Sequence, residues 1–263
     1  MIDAPAPRSG ALAFAYGILC YAVFFAVFLY GIGFIGGFFT PTMLDGAPRR
    51  PLSEALLIDL GLLTLFAVQH SVMARPAFKR WWTRFVPEAV ERSTYVLMSS
   101  LALAVMYVFW EPIGGVIWTT SGVAREIVIA IYLLGWALLL YTTFLIDHFD
   151  LFGLRQVFLP LIGRPYTRVP FRTPLPYRYV RHPLYLGFLL AFWMTPTMTL
   201  AHLVFAIATT AYIVLAIQFE EKDLVAEYGA AYERYRRGVP MLLPIGRGVR
   251  TSTSQHARSS ARL

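Results

Sequence analysis

"LYLGFLLAFWMTPTMTLAHLVFAIATTAYIVLAIQF", residues 184–219, runs for 36 residues without an Asp, Glu, Lys or Arg. A helix crosses the hydrocarbon core of a bilayer in about 20 residues, so this stretch is too long for one crossing. Pro196, near its middle, lacks a backbone donor and interrupts the helical ladder. The two halves read as the arms of a helical hairpin, the first arm short.

The same reading extends to the rest of the chain. Residues 11–39, 54–74, 93–110 and 125–146 form four further apolar blocks. The first is 29 residues long; at about 1.5 Å per residue it exceeds a ~30 Å hydrocarbon core, so it tilts or breaks near its glycines. It is also too long for the apolar part of a signal peptide, about 7 to 15 residues, and reads as retained. Of 263 residues 57% are hydrophobic and 14% charged, against roughly 25% charged in a soluble domain. The expectation is an all-α polytopic membrane bundle of five to six segments, with a C-terminal hairpin followed by a helix on the aqueous side. Residues 1–244 read as one domain and residues 245–263 as a polar, disordered tail.

A formal charge of +8 would suggest a nucleic-acid partner in a soluble chain. Its distribution says otherwise. Arg8, five Lys or Arg between 75 and 92, six arginines between 155 and 181 and eight Lys or Arg after residue 219 share one side, with Arg49, Arg50 and Arg125 opposite. This is the asymmetry of the positive-inside rule. It predicts an even number of crossings, both termini on the cytoplasmic side of a bacterial inner membrane and no nucleic-acid binding. The single Cys20 excludes an internal disulfide and a cysteine metal cluster, and no metal site is expected. "GIGFIG", 31–36, matches a dinucleotide-binding pattern but has no strand before it, so it reads as small residues that let helices approach closely.

Polar groups where the membrane should exclude them are the functional candidates. "QHS", 69–71, ends the second block one turn before Arg75; His70 serves either as a proton acceptor or as part of an interfacial cap. Asp59, within two turns of the outer end of the same block, has the same two readings. "DHFD", 147–150, arrives before the fourth block's apolar character ends. In a continuous helix Asp147 and Asp150 share a face, with His148 about 100° round from Asp147. A His beside carboxylates gains basicity and a fixed tautomer, as a general base needs; the alternative is a polar belt closing the helix, with Arg155 pairing one aspartate. "RHPLYLG", 181–187, puts Pro183 in the first turn of a helix, so Arg181 and His182 stand at a helix N-terminus suited to an anion. Glu220 and Glu221 end the same hairpin and suit an ammonium group. Together the two feet fit an amino-acid zwitterion; singly, each is an ordinary helix flank.

"RHPLYLG" followed by "EEKDLVAEYGAAYERYRRGVPMLLP", 220–244, resembles the C-terminal signature of the isoprenylcysteine carboxyl methyltransferase and phospholipid methyltransferase superfamily. "QHSVMARPAFKRWWTR", "ERSTYVLMSSLAL" and "FLIDHFDLFGLRQVF" extend the similarity to the bacterial methanethiol S-methyltransferases and, more distantly, to NnrU-like membrane proteins. The resemblance implies a membrane methyltransferase using S-adenosyl-L-methionine without a Rossmann fold. It implies that Arg178, Arg181, His182, Tyr185, Glu220, Glu221, Tyr235 and Arg236 hold the cofactor. Asp147, His148 and Asp150, with His70 as a partner, are the expected groups near a small thiol acceptor. Other readings are methylation of a larger lipophilic acceptor, such as a prenylcysteine carboxylate or a phospholipid amine; a nicotinamide-dependent membrane reductase; and a transporter. A transporter predicts polar residues near the midplane, whereas these cluster at one end.

Overall fold

The computed structural model describes residues 7–244 except 168. The tail expected from residue 245 onward lies outside the described residues. Five helices are long and apolar enough to cross a membrane: α1 (Pro7–Gly36), α2 (Leu52–Ala74), α4 (Glu88–Phe109), α5 (Gly122–Ile146) and α9 (Leu200–Tyr228). Short helices α3 (Pro76–Trp82), α6 (His148–Leu151) and α7 (Leu154–Leu161) lie at the Arg-rich end, joined there by α10 (Ala230–Gly238). The hairpin's first arm is α8 (Pro183–Trp193), only 11 residues, about 16 Å of rise.

Extended chain completes that short arm. Residues 194–196 lead into strand β2 (Thr197–Thr199), which pairs antiparallel with β1 (Val116–Thr119) in the α4–α5 connection. Thr199 lies opposite Val116 and Thr197 opposite Thr119. Since β1 joins the far ends of α4 and α5, the pairing puts the hairpin tip at the end opposite the arginines. Residues in a strand rise about 3.3 Å each, which supplies the length α8 lacks. The turn is tied down by His202, fully buried at the start of α9. Its Nδ1 lies 3.0 Å from Asp45 Oδ2 and its Nε2 3.0 Å from the Phe192 carbonyl.

Lipid offers no hydrophobic drive between helices, so close packing has to hold them. Gly135 of α5 and Gly187 of α8 bring those backbones together: a Cβ added to Gly187 stands 2.8 Å from the Gly135 oxygen. Phe34, Tyr107, Trp110, Trp136, Phe192 and Phe205 fill the space between α1, α4, α5, α8 and α9. The "GIGFIG" glycines sit in or at the end of α1 as helix-packing residues; a Cβ on Gly31 would meet the Tyr107 hydroxyl at 2.6 Å. Leu57, Leu65 and Val108 point outward, as lipid-facing residues do.

One boundary departs from the sequence reading, and another that agrees with it removes a helix face expected beyond it. The last crossing does not stop at Phe219 but continues to Tyr228, so Glu220 and Glu221 sit inside a helix rather than at its foot. The fourth crossing stops at Ile146, and Asp147, at φ 157° and ψ 89°, leaves helical conformation altogether. Its side chain instead accepts from the Asp150 backbone N–H as the cap of α6. A short carboxylate serves better as a cap than inside a helix. The expected shared helix face for Asp147 and Asp150 is therefore replaced by a capped corner.

Candidate active site

Two clusters form at the Arg-rich end. The first is built by three distant segments. The backbone N–H groups of Arg181 and His182 donate to the carbonyls of Pro240 and Met241 at 2.8 and 3.1 Å, a short rung that ties the start of α8 to the chain after α10. Arg181 Nε donates to Glu221 Oε1 at 2.8 Å. Its Nη1 donates to the carbonyls of Arg236 and Val239, both at 2.8 Å. A guanidinium is well placed there, because the last carbonyls of a helix lack partners and carry partial negative charge.

His182, buried at the start of α8, places Nε2 3.1 Å from the same Glu221 oxygen. A carboxylate only accepts, so the proton sits on Nε2 and Nδ1 turns toward Glu220, 3.8 Å away. Glu220 keeps 44% of its side chain exposed, and the Tyr185 hydroxyl pairs with it. Arg236 lies 3.7 Å from the other Glu221 oxygen. Tyr235 donates to the Tyr177 carbonyl at 2.6 Å. Arg178 closes a single 3-10 turn, Leu175–Arg178, and is exposed.

The eight residues expected around the cofactor thus lie on converging elements with divided work. Arg181 and Glu221 bond each other and close the knot, so part of each group's bonding capacity is already taken. Glu220, Tyr185 and the Nδ1 edge of His182 remain to receive a ligand. Two residues beyond that set belong here: the buried hydroxyls of Tyr177 and Tyr232 have no hydrogen-bond partner among the described residues. Burial holds both phenols above their ordinary pKa, with the Glu220 carboxylate adding to the effect at Tyr177; they stay protonated and able to donate. Phe171 packs against Tyr228, tilted, and Tyr235, edge to face, with ring centroids 5.1 and 5.6 Å away. The orphan hydroxyls, an open carboxylate and aromatic faces suit a ligand with a polar sugar-like part and a cationic centre. Tyr228, Tyr232 and Tyr235 recur along the closing helix in the sequence, and Tyr177 falls in the polar run "PYRYVRHPLYLG", 176–187, just ahead of the hairpin.

The second cluster divides the four residues expected near the acceptor. His148 is 2% exposed, with Nδ1 2.7 Å from Thr143 Oγ1 and Nε2 2.8 Å from the Tyr21 hydroxyl. Thr143 spends its one proton on the Leu140 carbonyl, so it accepts from Nδ1–H, and Nε2 accepts from Tyr21. Both nitrogens are occupied, and Phe144 stacks flat on the ring at 4.1 Å. Burial pushes the His148 pKa down, and the opposing pull of Asp147 is the smaller effect. The basicity expected from flanking carboxylates is not gained, because Asp147 caps α6 and Asp150 bonds Arg155 at 3.0 Å.

A stability consequence follows. The unfolded chain, with its imidazole near pKa 6.5, binds the proton more readily than the folded one. The contribution of neutral His148 is complete above that value and is lost as pH falls below it. The unfolding temperature of detergent-solubilised protein is expected to drop between about pH 7 and pH 5, and more steeply than that of His148→Gln. Parallel curves for the two proteins would rule this out.

His70 lies elsewhere, near the inner end of α2 and partly exposed. Its Nδ1 stands 3.1 Å from Ser99 Oγ. The Tyr95 hydroxyl stands 2.9 Å from Nε2. Phe66 stacks on the ring at 5.2 Å. Arg92 links the His148 corner to the neighbourhood of His70, donating Nε to the Leu151 carbonyl at 2.8 Å while its guanidinium lies 5.0 Å from the centre of the Tyr95 ring. Next to His70, Ser71 bonds Tyr212 at 3.1 Å, and Tyr185 lies within electrostatic range of both Tyr95 and Tyr212. Among the described residues no hydrogen bond joins the Asp147–Asp150 corner to Glu220 or His182. A cavity of about 150 Å³ near Arg125, Tyr132 and Thr195 lies at the opposite end and touches neither cluster.

Comparison with known proteins gives close relatives. Methanethiol S-methyltransferase 2 of Bradyrhizobium diazoefficiens is 56% identical over 229 residues, 87% of this chain and 88% of the relative. Methanethiol S-methyltransferase of Mycobacterium tuberculosis is 53% identical over 234 residues, 89% of this chain and 96% of the relative. Nurim of Bos taurus is 32% identical over 178 residues, 64% of this chain and 68% of that protein. No family model and no solved structure matches the chain.

Proposed function

The chain belongs to the methanethiol S-methyltransferase family, and from that premise we propose that it transfers a methyl group from S-adenosyl-L-methionine to methanethiol, releasing dimethyl sulfide. The observation that carries the cofactor reading is the half-exposed Glu220 carboxylate beside Tyr185 and His182, above a knot already closed by Arg181 and Glu221. S-adenosyl-L-methionine supplies an electrophilic methyl on a sulfonium sulfur. Glu220 and the tyrosine faces offer that cation an anionic and π-rich surround, and the orphan hydroxyls of Tyr177 and Tyr232 suit its polar groups. Arg181, Arg236 and Tyr235 hold α8, α9 and α10 in register so that Glu220 is presented, and Arg178 contributes charge at the rim. The closed knot also limits water beside the donor.

On the acceptor side, His70, His148, Asp147 and Asp150 supply the acid–base group and its frame. A thiol with a pKa near the Cys value of about 8.5 is mostly protonated at neutral pH, so removing its proton raises the reactive fraction. Holding the two reactants in line contributes further. We place the Arg-rich end in the cytoplasm, by the charge asymmetry. The polar donor then arrives from water and the apolar acceptor from the bilayer.

Incubation of purified protein with methyl-labelled S-adenosyl-L-methionine and methanethiol is expected to release labelled dimethyl sulfide, detected by mass spectrometry. No volatile product would overturn the reading. Glu220→Ala is expected to weaken S-adenosyl-L-methionine binding at least about tenfold, as loss of a charge-assisted contact does; unchanged affinity by calorimetry would remove Glu220 from the site.

A further inference from the structure

We propose that the exposed side of α3 and of the turn after it binds the headgroup of an anionic phospholipid, in the leaflet at the Arg-rich end.

Helical spacing shapes this surface. Arg75 leaves α2 in extended conformation and Pro76 opens α3. Helical bonding continues past Trp82: the N–H groups of Thr83 and Val86 donate to the carbonyls of Lys79 and Trp82 at 2.9 and 3.0 Å. Phe78 packs on the cluster of Met73, Tyr95 and Val96. From it a row of rings runs outward, with centroids 5.3 Å from Phe78 to Trp81 and 5.5 Å from Trp81 to Phe85. Trp81 is 48% exposed and Phe85 69%. Arg80 and Arg84 are exposed as well, and each stands one residue, about 100° of helix, from one of those rings. A basic edge and an aromatic edge thus run side by side, next to the inner end of α2.

Charge identifies the occupant. At the opposite end the three arginines are matched: Arg49 and Arg50 lie 3.2 and 3.1 Å from Glu111, and Arg125 lies 3.1 Å from Glu126. Arg80 and Arg84 form no ion pair among the described residues. The positive-inside asymmetry accounts for the side they occupy, but not for their lying unpaired along a row of exposed rings. Two like charges at i and i+4 oppose each other on a helix. A phosphate between them removes that repulsion and accepts from both guanidiniums.

The rings decide what carries the phosphate. Indole and phenyl groups settle at the headgroup level and against the upper acyl chains, so the ligand that meets the arginines has apolar tails alongside. A free phosphate leaves Trp81 and Phe85 in water. A zwitterionic lipid covers the rings but brings a cation beside its own phosphate, whereas an anionic lipid supplies both halves of the match. Because α3 joins the end of α2 to α4, a lipid held there also steadies both helix ends.

The experiment uses the full chain in nanodiscs of phosphatidylcholine, with or without phosphatidylglycerol. It reads the lipids retained, by native mass spectrometry, and the unfolding temperature. Wild type is expected to retain phosphatidylglycerol in preference and to unfold at a higher temperature in its presence. The double variant Arg80→Gln, Arg84→Gln is expected to lose about fivefold of that preference for each charge removed. The pair Trp81→Ala, Phe85→Ala is expected to retain fewer lipids of both kinds. Arg125→Gln, which removes a matched arginine at the opposite end, is expected to behave as wild type. Equal retention of the two lipids by wild type, or an undiminished preference in the arginine variant, would overturn the proposal. Displacement of the lipid by soluble glycerol phosphate would overturn it too, since the site would then read phosphate alone. If the double variant fails to fold, Arg80→Gln and Arg84→Gln singly carry the same comparison.

Discussion

Glu221→Ala is expected to destabilise the protein by about 3–5 kcal/mol and to abolish measurable S-adenosyl-L-methionine binding, because it strands a buried charge. Arg181 is 12% exposed and Glu221 9%. Without the carboxylate the guanidinium keeps only the two carbonyls of Arg236 and Val239, and His182 Nε2–H loses its acceptor. The knot also carries the contact between α8, α9 and the chain after α10, so its loss frees the elements that present Glu220. Thermal unfolding in detergent, with calorimetric titration of the cofactor, measures both effects. The double variant Arg181→Met, Glu221→Leu is expected to recover much of the stability and none of the binding, since an apolar pair removes the stranded charge without restoring the frame. A Glu221→Ala protein within about 1 kcal/mol of wild type would place the pair among ordinary surface contacts.

Gly187→Val is expected to have the second largest effect. A Cβ at Gly187 stands 2.8 Å from the Gly135 oxygen, 2.9 Å from the Leu139 nitrogen and 3.1 Å from the Leu139 Cα, all backbone atoms of α5 that no rotamer change can move. Overpacking of this kind costs about 1–3 kcal/mol or more. The displaced helix is α8, which begins beside His182, so turnover is expected to fall further than stability alone explains. Gly61→Ala is the internal control: nothing lies within 4 Å of its added Cβ, and helix propensity favours alanine by about 1 kcal/mol. If Gly187→Val unfolds at the temperature of wild type, the α5–α8 contact is not what sets the hairpin.

Much of this was readable from residue order. The hairpin between Leu184 and Phe219, its break at Pro196 and the same-side placement of the arginines depend on hydrophobic length and charge, which act locally and survive translation into structure unchanged. The feet of the hairpin were also found, because Arg181, His182, Glu220 and Glu221 are polar where apolar residues are the rule. Their division of labour was not readable. Arg181 is also part of the frame, because Glu221 and two carbonyls at the end of α10 converge on it from residues 40 to 58 positions away.

The acceptor side shows the same limit more sharply. "DHFD" stands out in sequence as two acids around a histidine, and proximity along the chain suggested a raised basicity. Burial among Tyr21, Phe144 and Phe152 outweighs Asp147, and Asp147 turns to cap α6 because the helix ends there. Tyr95 and Ser99 do not stand out within "ERSTYVLMSSLAL", 91–103; only the packing of α4 on α2 brings them to His70.

By itself, then, the sequence determined the crossings, the side on which charge collects and which polar residues are out of place, because transfer from water to lipid depends on each segment's own composition. Tertiary structure alone decided which of those polar groups are mutually satisfied and which stay open to a ligand. That outcome depends on distances between segments far apart in the chain, and on how much solvent each group loses when they meet.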